Sequence, residues 1–186
     1  MQRRLTSLAA VVTAVILTAS AAAPFAAVTK GDPEKRAKIH ANTQEALAEL
    51  KKEKPKSKEL YDKAFGYAVF SSAKVAVGLA GAGGVGEAVT KGGQHTYMRM
   101  GSAGVSLGLG VQKYKVVFLF EDSNSFKKFV EKGWQAEGGA NAVAGTAGAN
   151  ADPSFRQGMA VYTITDGGLM LSADLSGTKY WKDDDL

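Results

Sequence analysis

The chain has 186 residues, of which 45% are hydrophobic and 22% charged, a composition typical of one globular domain. It has no cysteine, which excludes disulfides, thiol catalysis and thiolate metal sites. Its two histidines are too few for most zinc sites, and a net charge of +5 is too small for a dedicated nucleic-acid binder.

Residues 1–27 have the pattern of an export signal. Arg3 and Arg4 precede an apolar run over residues 5–19, and small residues follow, as in a cleaved signal peptide. We expect cleavage near residues 22–27, which would deliver the chain to the periplasm or cell envelope. An uncleaved anchor is the alternative, because the apolar run is nearly long enough to span a bilayer.

Two helices are predicted before the first strand. Asp32 caps the first helix, Pro33 suits its first position, and the helix ends near Glu53, before Pro55. Ser57 is predicted to cap a short second helix. Lysines are dense where the two helices meet, and this basic segment could attract anionic groups.

Residues 66–70 are predicted to form a short strand, and residues 73–111 then form two alternating segments joined by a turn at residues 91–94. Each segment has one face of bulky apolar residues and one face of Gly, Ala and Ser. Glycine inside a strand marks a bend or a close approach of another group. The bare faces therefore predict a curved sheet against which either a packed protein layer or an apolar ligand can lie.

The apolar segment over residues 113–120 is predicted to be a central strand. A helix over residues 124–132 should follow, capped by residues 121–123 and ended by Gly133. Residues 134–150 are interpreted as a loose strand pair.

A β-hairpin is predicted for residues 158–165 and 169–175, which alternate on either side of Asp166-Gly167. Residues 183–186 are predicted to be a solvated acidic tail that follows a single domain over residues 33–182. Two or three helices and seven to nine strands give an α+β fold, with an N-terminal helical pair and one further helix on a curved antiparallel sheet, sandwich or partial barrel.

Two glycine motifs resemble catalytic signatures without their required context. Residues 81–86 match G-x-G-x-x-G, but neither a helix nor an acidic residue follows at the required spacing. Residues 104–108 match G-x-S-x-G, but alternation continues through Ser106, and His40 and His95 both precede it. His40 is expected on a solvated helix face. The sequence therefore predicts no catalytic residue, no metal site, no cofactor and no enzyme activity.

The ordered series of segments resembles the SYLF lipid-binding domain family in its bacterial exported form. The resemblance covers about residues 35–180, essentially the whole exported chain. It is carried by residues 60–70 (LYDKAFGYAVF), the glycine-rich residues 74–87, residues 104–110, the apolar residues 116–120, Ser125-Phe126, Gly133-Trp134 and residues 166–170 (DGGLM).

The resemblance implies a non-enzymatic domain that binds a membrane surface through anionic phospholipid or phosphoinositide-like headgroups. Actin binding, known for eukaryotic members, is not expected of an exported protein. The alternative is a structural module of the envelope that self-associates as a homo-oligomer without a lipid ligand. The residues expected to contact lipid are Lys51, Lys52, Lys54, Lys56, Lys58, Lys63, Lys74, Gly78, Gly84 and Gly108.

Overall fold

The computed structural model describes residues 31–53, 55–135, 154–165, 168–171 and 177–186, and for residues 53, 55, 74–80, 103–112 and 168–171 it describes the backbone alone. The predictions of a signal peptide, of a strand pair over residues 136–150 and of a contact through Lys54 therefore lie outside the described residues. None of the helices in these ranges is long and apolar enough to cross a membrane.

Three helices are present: α1 (Pro33–Glu53), α2 (Pro55–Lys63) and α3 (Ser123–Lys132). The start of α1 was predicted correctly, since the Oδ1 atom of Asp32 accepts hydrogen bonds from the backbone N–H groups of Glu34 and Lys35 at 3.0 and 3.2 Å. The predicted Ser57 cap is wrong. Helix α2 already begins at Pro55, a residue suited to a first helical position, and Ser57 is buried inside the helix.

Helix α3 has the predicted ends. Its first turn is capped by Asp122, whose side chain accepts a hydrogen bond from the backbone N–H of Ser125 at 2.8 Å. Gly133 ends the helix at a φ of +71°, where residues with a Cβ atom are strained.

The six described strands form one antiparallel sheet with the order β3-β6-β2-β4-β5, and β1 pairs with β2 beside this path. The sheet curls into a half-barrel, which confirms the predicted α+β class. The strands are β1 (Gly66–Thr90), β2 (His95–Phe120), β3 (Trp134–Gln135), β4 (Met159–Thr165), β5 (Gly168–Leu171) and β6 (Thr178–Lys182).

Strands β1 and β2 form one long ribbon with an irregularity in its middle. Val77 pairs with Leu109, but Leu79 pairs with Val105, so β2 carries two extra residues at this point. Gly78 and Gly108 lie at this irregularity, where a bulge bends the ribbon. The prediction of a separate short strand over residues 66–70 is wrong, because β1 continues without a break to Thr90.

The bend folds the second half of β1 across its first half. A Cβ atom added to Gly84 would collide with the carbonyl oxygen of Ser71, and one added to Gly86 would collide with the carbonyl oxygen of Val69. At these two positions the bare strand face is therefore packed against the chain's own backbone. Of the two interpretations that the sequence allowed, close packing of a protein layer is the correct one here.

The sheet is buried on both faces, which explains why residues 116–120 are continuously apolar and confirms this segment as central. Phe118 and Phe120 point to an aromatic cluster beneath α3, whereas Val117 and Leu119 point to an aliphatic cluster beneath α1 and α2. The aromatic cluster also contains Phe70, Phe126, Phe129 and Tyr180.

The C-terminal part of the sheet contains one confirmed hairpin and one correction. Strands β4 and β5 pair with Thr165 opposite Gly168, as the hairpin prediction requires. The predicted solvated tail is wrong at its first residue, because Asp183 is buried and accepts a hydrogen bond from the Nε of Arg99 at 2.7 Å.

Candidate functional site

A cleft of about 1130 Å³ lies between α1 and the curled sheet, and β1, β2, β4 and β6 complete its lining. It forms because β2 spans the sheet from the turn after β1 to the central strand segment. Side chains from both ends of β2 therefore meet across the cleft, although Arg99 and Lys113 are far apart in the chain.

One part of the cleft lining is apolar. Met100 and Ile164 are buried beneath it, and the rings of Tyr114 and Trp181 border it. Trp181 keeps 38% of its surface exposed, so its ring is accessible from the cleft.

The remaining lining is rich in charged groups. Four cations, Lys35, Arg99, Lys113 and Lys115, stand against two carboxylates, Glu45 and Glu49, which leaves an excess of two positive charges among the described lining residues.

Two of these cations are already engaged within the protein. Lys115 forms an ion pair with Glu45 at 2.9 Å, and Arg99 forms one with the buried Asp183 at 2.7 Å. Lys113 is exposed and makes no ion pair with any residue that the structure describes. Lys35 also forms no ion pair with a described residue, but it is partly buried and its charge acts on Asp183. Lys113 is therefore the cation of the cleft most accessible to an external anion.

The lowered pKa of Asp183 shows that Arg99 interacts strongly with this carboxylate. Burial alone raises the pKa of this carboxyl, but the Arg99 hydrogen bond, the backbone N–H of Asp185 and the charges of Arg99 and Lys35 together hold it below its ordinary value. Arg99 thus stabilises the end of β6 and is a less available ligand group than Lys113.

The lysines at the α1–α2 junction form a separate surface. Two of them are paired within α2: Lys58 contacts Asp62 and Lys63 contacts Glu59, both at 2.6 Å and both four residues apart. The described members, which we call the junction lysines, are Lys51, Lys52, Lys56, Lys58 and Lys63.

A ring from α2 lies between this junction and the turn after β1. The Nζ of Lys51 lies 4.9 Å from the centre of the Tyr61 ring, and the Nζ of Lys91 lies 3.7 Å from it. The pKa of Lys91 is lowered, chiefly because the ammonium group is partly buried and also because Lys51 is near. Cation–π contacts of this kind hold both lysines against the helix.

The residues predicted to contact lipid do not lie at one site in the structure. Gly84 lines the cleft, and none of the described junction lysines does so. Lys74, Gly78 and Gly108 lie within the β1–β2 ribbon, where Lys74 is paired with Gln112 and its side chain is outside the description. The role of these residues in binding stays a prediction.

Sequence reasoning missed the four cations of the cleft. Lys113 and Lys115 are two positions apart in the segment predicted to be a strand, so the period of two places them on one face. The spacing of these two lysines could therefore have been recognised from the sequence. The approach of Lys35 and Arg99 depends on long-range packing, which no local pattern reveals.

The two catalytic-looking motifs lie inside continuous strands, as their sequence context predicted. Residues 81–86 belong to β1 and residues 104–108 to β2. Neither motif is followed by a helix, so neither has the geometry of a dinucleotide-binding turn or a nucleophile elbow.

His40 lies on an exposed face of α1, as predicted, but both histidines also make a contact that the sequence did not predict. His40 is half exposed, with 48% of its side chain accessible, but its ring is hydrogen-bonded rather than simply solvated. Both His40 and His95 contact the buried carboxylate of Glu87. No pattern in the sequence indicated such a group.

Comparison with known proteins gives two matches. Residues 101–186 match the model of the Ysc84 family, described as "Las17-binding protein actin regulator". The chain is also 46% identical over 155 residues to "Beta cell expansion factor A" of Aeromonas veronii. This alignment covers 82% of the chain and 59% of the relative, so the chain spans about three fifths of that protein.

Proposed function

The chain belongs to the Ysc84 (SYLF) family, and we propose that it is a non-enzymatic domain of the cell envelope that binds anionic phospholipid or phosphoinositide-like headgroups at a membrane surface. Binding, rather than catalysis, is what this family of domains is known for. The envelope location rests on the export pattern of residues 1–27, and the actin regulation that the family description names is not proposed for an exported chain.

The observation that carries the proposal is the mixed lining of the cleft. Lys113 offers an exposed cation, while Tyr114 and Trp181 offer an apolar surface within the same cavity. A molecule with an anionic head and an acyl tail matches this combination, because the head gains a charged partner and the tail loses contact with water.

The junction lysines supply a second, weaker attraction. A lysine near an anionic membrane surface contributes about 1 kcal/mol, but Lys58 and Lys63 each have an acidic partner on the same helix. The attraction of this surface for a membrane is therefore smaller than its number of lysines suggests, and we assign headgroup binding chiefly to the cleft.

Co-sedimentation with vesicles tests the proposal. The chain, a Lys113→Glu variant and a Lys128→Glu variant are each mixed with phosphatidylcholine vesicles and with vesicles containing phosphatidylglycerol. Lys128 is exposed on α3 and does not line the cleft, so both variants change the net charge equally.

We expect preferential binding to the anionic vesicles. Reversing one charge near the surface should cost about 2 kcal/mol, or roughly a 30-fold weaker partition for Lys113→Glu, whereas Lys128→Glu should bind nearly as the unchanged chain does. Equal weakening by both substitutions would mean that net charge alone matters and would remove the cleft from the proposal. A parallel Lys51→Glu/Lys52→Glu variant measures the contribution of the junction lysines.

Self-association without a lipid ligand is the alternative outcome. Strands β3 and β5 end the described strand order at its two sides, and strand edges can pair with a second copy of a chain. Light scattering in the absence of lipid separates the two functions. A concentration-independent monomer that binds anionic vesicles supports the lipid proposal, whereas a stable oligomer that binds neither vesicle type supports the alternative.

A further inference from the structure

Both histidines of the chain contact one carboxylate. His40 lies in α1, Glu87 lies near the end of β1, and His95 begins β2. The Nδ1 atom of His40 is 3.0 Å from Oε1 of Glu87, and the Nδ1 atom of His95 is 2.8 Å from Oε2. Each oxygen of the carboxylate therefore has its own imidazole partner.

The burial of this group is asymmetric. The Glu87 side chain has no exposed surface, whereas 48% of the His40 side chain and 37% of the His95 side chain are accessible. A buried carboxylate is costly unless it is paired. Arg36 lies over the Tyr97 ring, at 5.2 Å from its centre, and forms no ion pair with Glu87. The two imidazoles thus remain the partners of this carboxylate among the residues described.

We propose that His40, Glu87 and His95 form a binding site for a divalent transition-metal ion, for which Zn²⁺ is the best match. One ligand atom from each residue can be chosen so that all three lie within 4.8 Å of one another. In a tetrahedral zinc site with bonds of about 2.1 Å, ligand atoms are about 3.4 Å apart. Rotation of the two half-exposed rings can bring the ligand atoms from 4.8 Å to this closer spacing while the buried carboxylate stays in place.

The donor set favours zinc over hard cations. Two imidazole nitrogens and one carboxylate oxygen form a known three-ligand zinc set that leaves a fourth position open. Mg²⁺ and Ca²⁺ prefer sites made of oxygen ligands alone. The exposed sides of both rings give an ion access from solvent, and each ring would have to present an unprotonated nitrogen to the ion.

Such an ion would connect three elements of the fold. Its ligands come from α1, from β1 and from β2, so it would fasten the first helix to the β1–β2 hairpin. An ion that binds only the folded chain raises stability by mass action. This site lies apart from the proposed lipid function, because none of its three ligands lines the cleft.

The test measures Zn²⁺ binding to the untagged full chain by calorimetry after removal of metals with a chelator, with Mg²⁺ as the control cation. The key variants are His40→Gln and His95→Gln, alone and together, because both rings are partly exposed and can be replaced without emptying the core. Glu121→Gln, which alters an exposed carboxylate on another element, is the matched control. Co²⁺ provides a spectroscopic reading, since its visible absorption reports ligand number and geometry.

We expect one Zn²⁺ per chain and no Mg²⁺ binding at this site. Each single histidine substitution should weaken Zn²⁺ binding roughly 100-fold or more, because even the loss of an outer hydrogen-bond partner costs 10- to 100-fold. At a free Zn²⁺ concentration of about 100 times Kd, Tm should rise by roughly 5–10 °C in the unchanged chain and stay constant in the double variant. Absence of Zn²⁺ binding, or binding that persists in the double variant, would overturn the proposal.

Discussion

The folding of β1 across itself makes a sharp prediction for one glycine. A Cβ atom on Gly86 would lie 2.7 Å from Cδ1 and 2.9 Å from Cα of Phe70, besides colliding with the carbonyl oxygen of Val69. Ordinary van der Waals contacts are at 3.4–4 Å, so Gly86→Ala requires the two halves of the strand to separate. The obstacles include backbone atoms on a buried strand, which cannot rotate away as a side chain can.

The expected cost follows from the size of this overlap. Overpacking a well-filled interior by one carbon costs about 1–3 kcal/mol, and contacts with fixed backbone place Gly86→Ala at the upper end. A loss of about 3 kcal/mol corresponds to a decrease in Tm of roughly 6–12 °C for a chain of this size. Gly83→Ala is the matched control, because no atom lies within 4 Å of a Cβ built on Gly83.

Urea unfolding followed by tryptophan fluorescence measures the difference. We expect the midpoint to fall for Gly86→Ala with an unchanged m-value, since m reports the surface exposed on unfolding. Gly83→Ala should be neutral or slightly stabilising, because alanine restricts the unfolded chain. If the two variants have the same free energy of unfolding, the two halves of β1 are not in contact at Gly86, and the account of the fold is wrong there.

Three further predictions concern the core and two titrating groups. Phe118→Ala should lower the free energy of unfolding by about 4 kcal/mol, because Phe118 is wholly buried and its ring centre lies 4.9 Å from that of Phe129. A loss below about 1 kcal/mol in urea unfolding would contradict this packing. Burial, the charge on the nearby Tyr61 and that of Glu87 raise the pKa of Tyr67 to about 12, so its contribution to stability is complete below pH 10 and is lost as the pH rises toward 12. Burial also raises the pKa of Tyr162 and Tyr180, so an absorbance titration at alkaline pH should show several late-ionising tyrosines, and Tyr67→Phe should remove one of them. The lowered pKa of Asp183 makes stability depend on pH in the opposite direction. Its contribution to the free energy of unfolding is present above the ordinary pKa near 3.8 and disappears as the pH falls through the lower folded value. Asp183→Asn should therefore be less stable than the unchanged chain at pH 7, and this difference in stability should shrink in acid.

The helix ends were predictable because their causes are local. Asp32, Asp122 and Gly133 act within one turn of helix, through a side-chain cap or a positive φ. The Ser57 cap failed for an equally local reason, since Pro55 offered an earlier start that competes with it. These signals fix where helices begin and end, and they carry no information on what the helices pack against.

The continuity of β1 was less predictable. The predicted strands left a gap between residues 70 and 73, yet Ser71 and Ser72 both lie inside β1. The hydroxyl of Ser72 donates a hydrogen bond to the carbonyl oxygen of Gly83 at 3.1 Å. This bond joins the two halves of the folded strand. The polar side chain of Ser72 inside this strand is thus explained by a contact eleven residues away, which exists only after the ribbon bends.

Part of the histidine cluster was readable from the hairpin. With the turn placed at residues 91–94, Glu87 and His95 become diagonal neighbours on one face, since Glu87 pairs with Tyr97 and Val89 pairs with His95. His40 is 47 residues from Glu87, and only the packing of α1 brings it close. The sequence therefore contained two of the three candidate ligands as a pair, and tertiary structure supplied the third.

The glycines of β1 take on a different meaning once the ribbon is seen to fold. Missing side chains at Gly84 and Gly86 let two backbones approach, and the space they leave is filled by Ser71 and Val69. At Gly83 the same strand faces open space and borders the cleft. The cleft is lined by Ser71, Gly83 and Gly84 together with residues of α1, so it lies beside the packed crossing and does not result from the missing side chains alone. It follows that enlarging Gly86 should act on folding, whereas charge reversal at Lys113 should act on binding, so the two substitutions separate the scaffold from the proposed site.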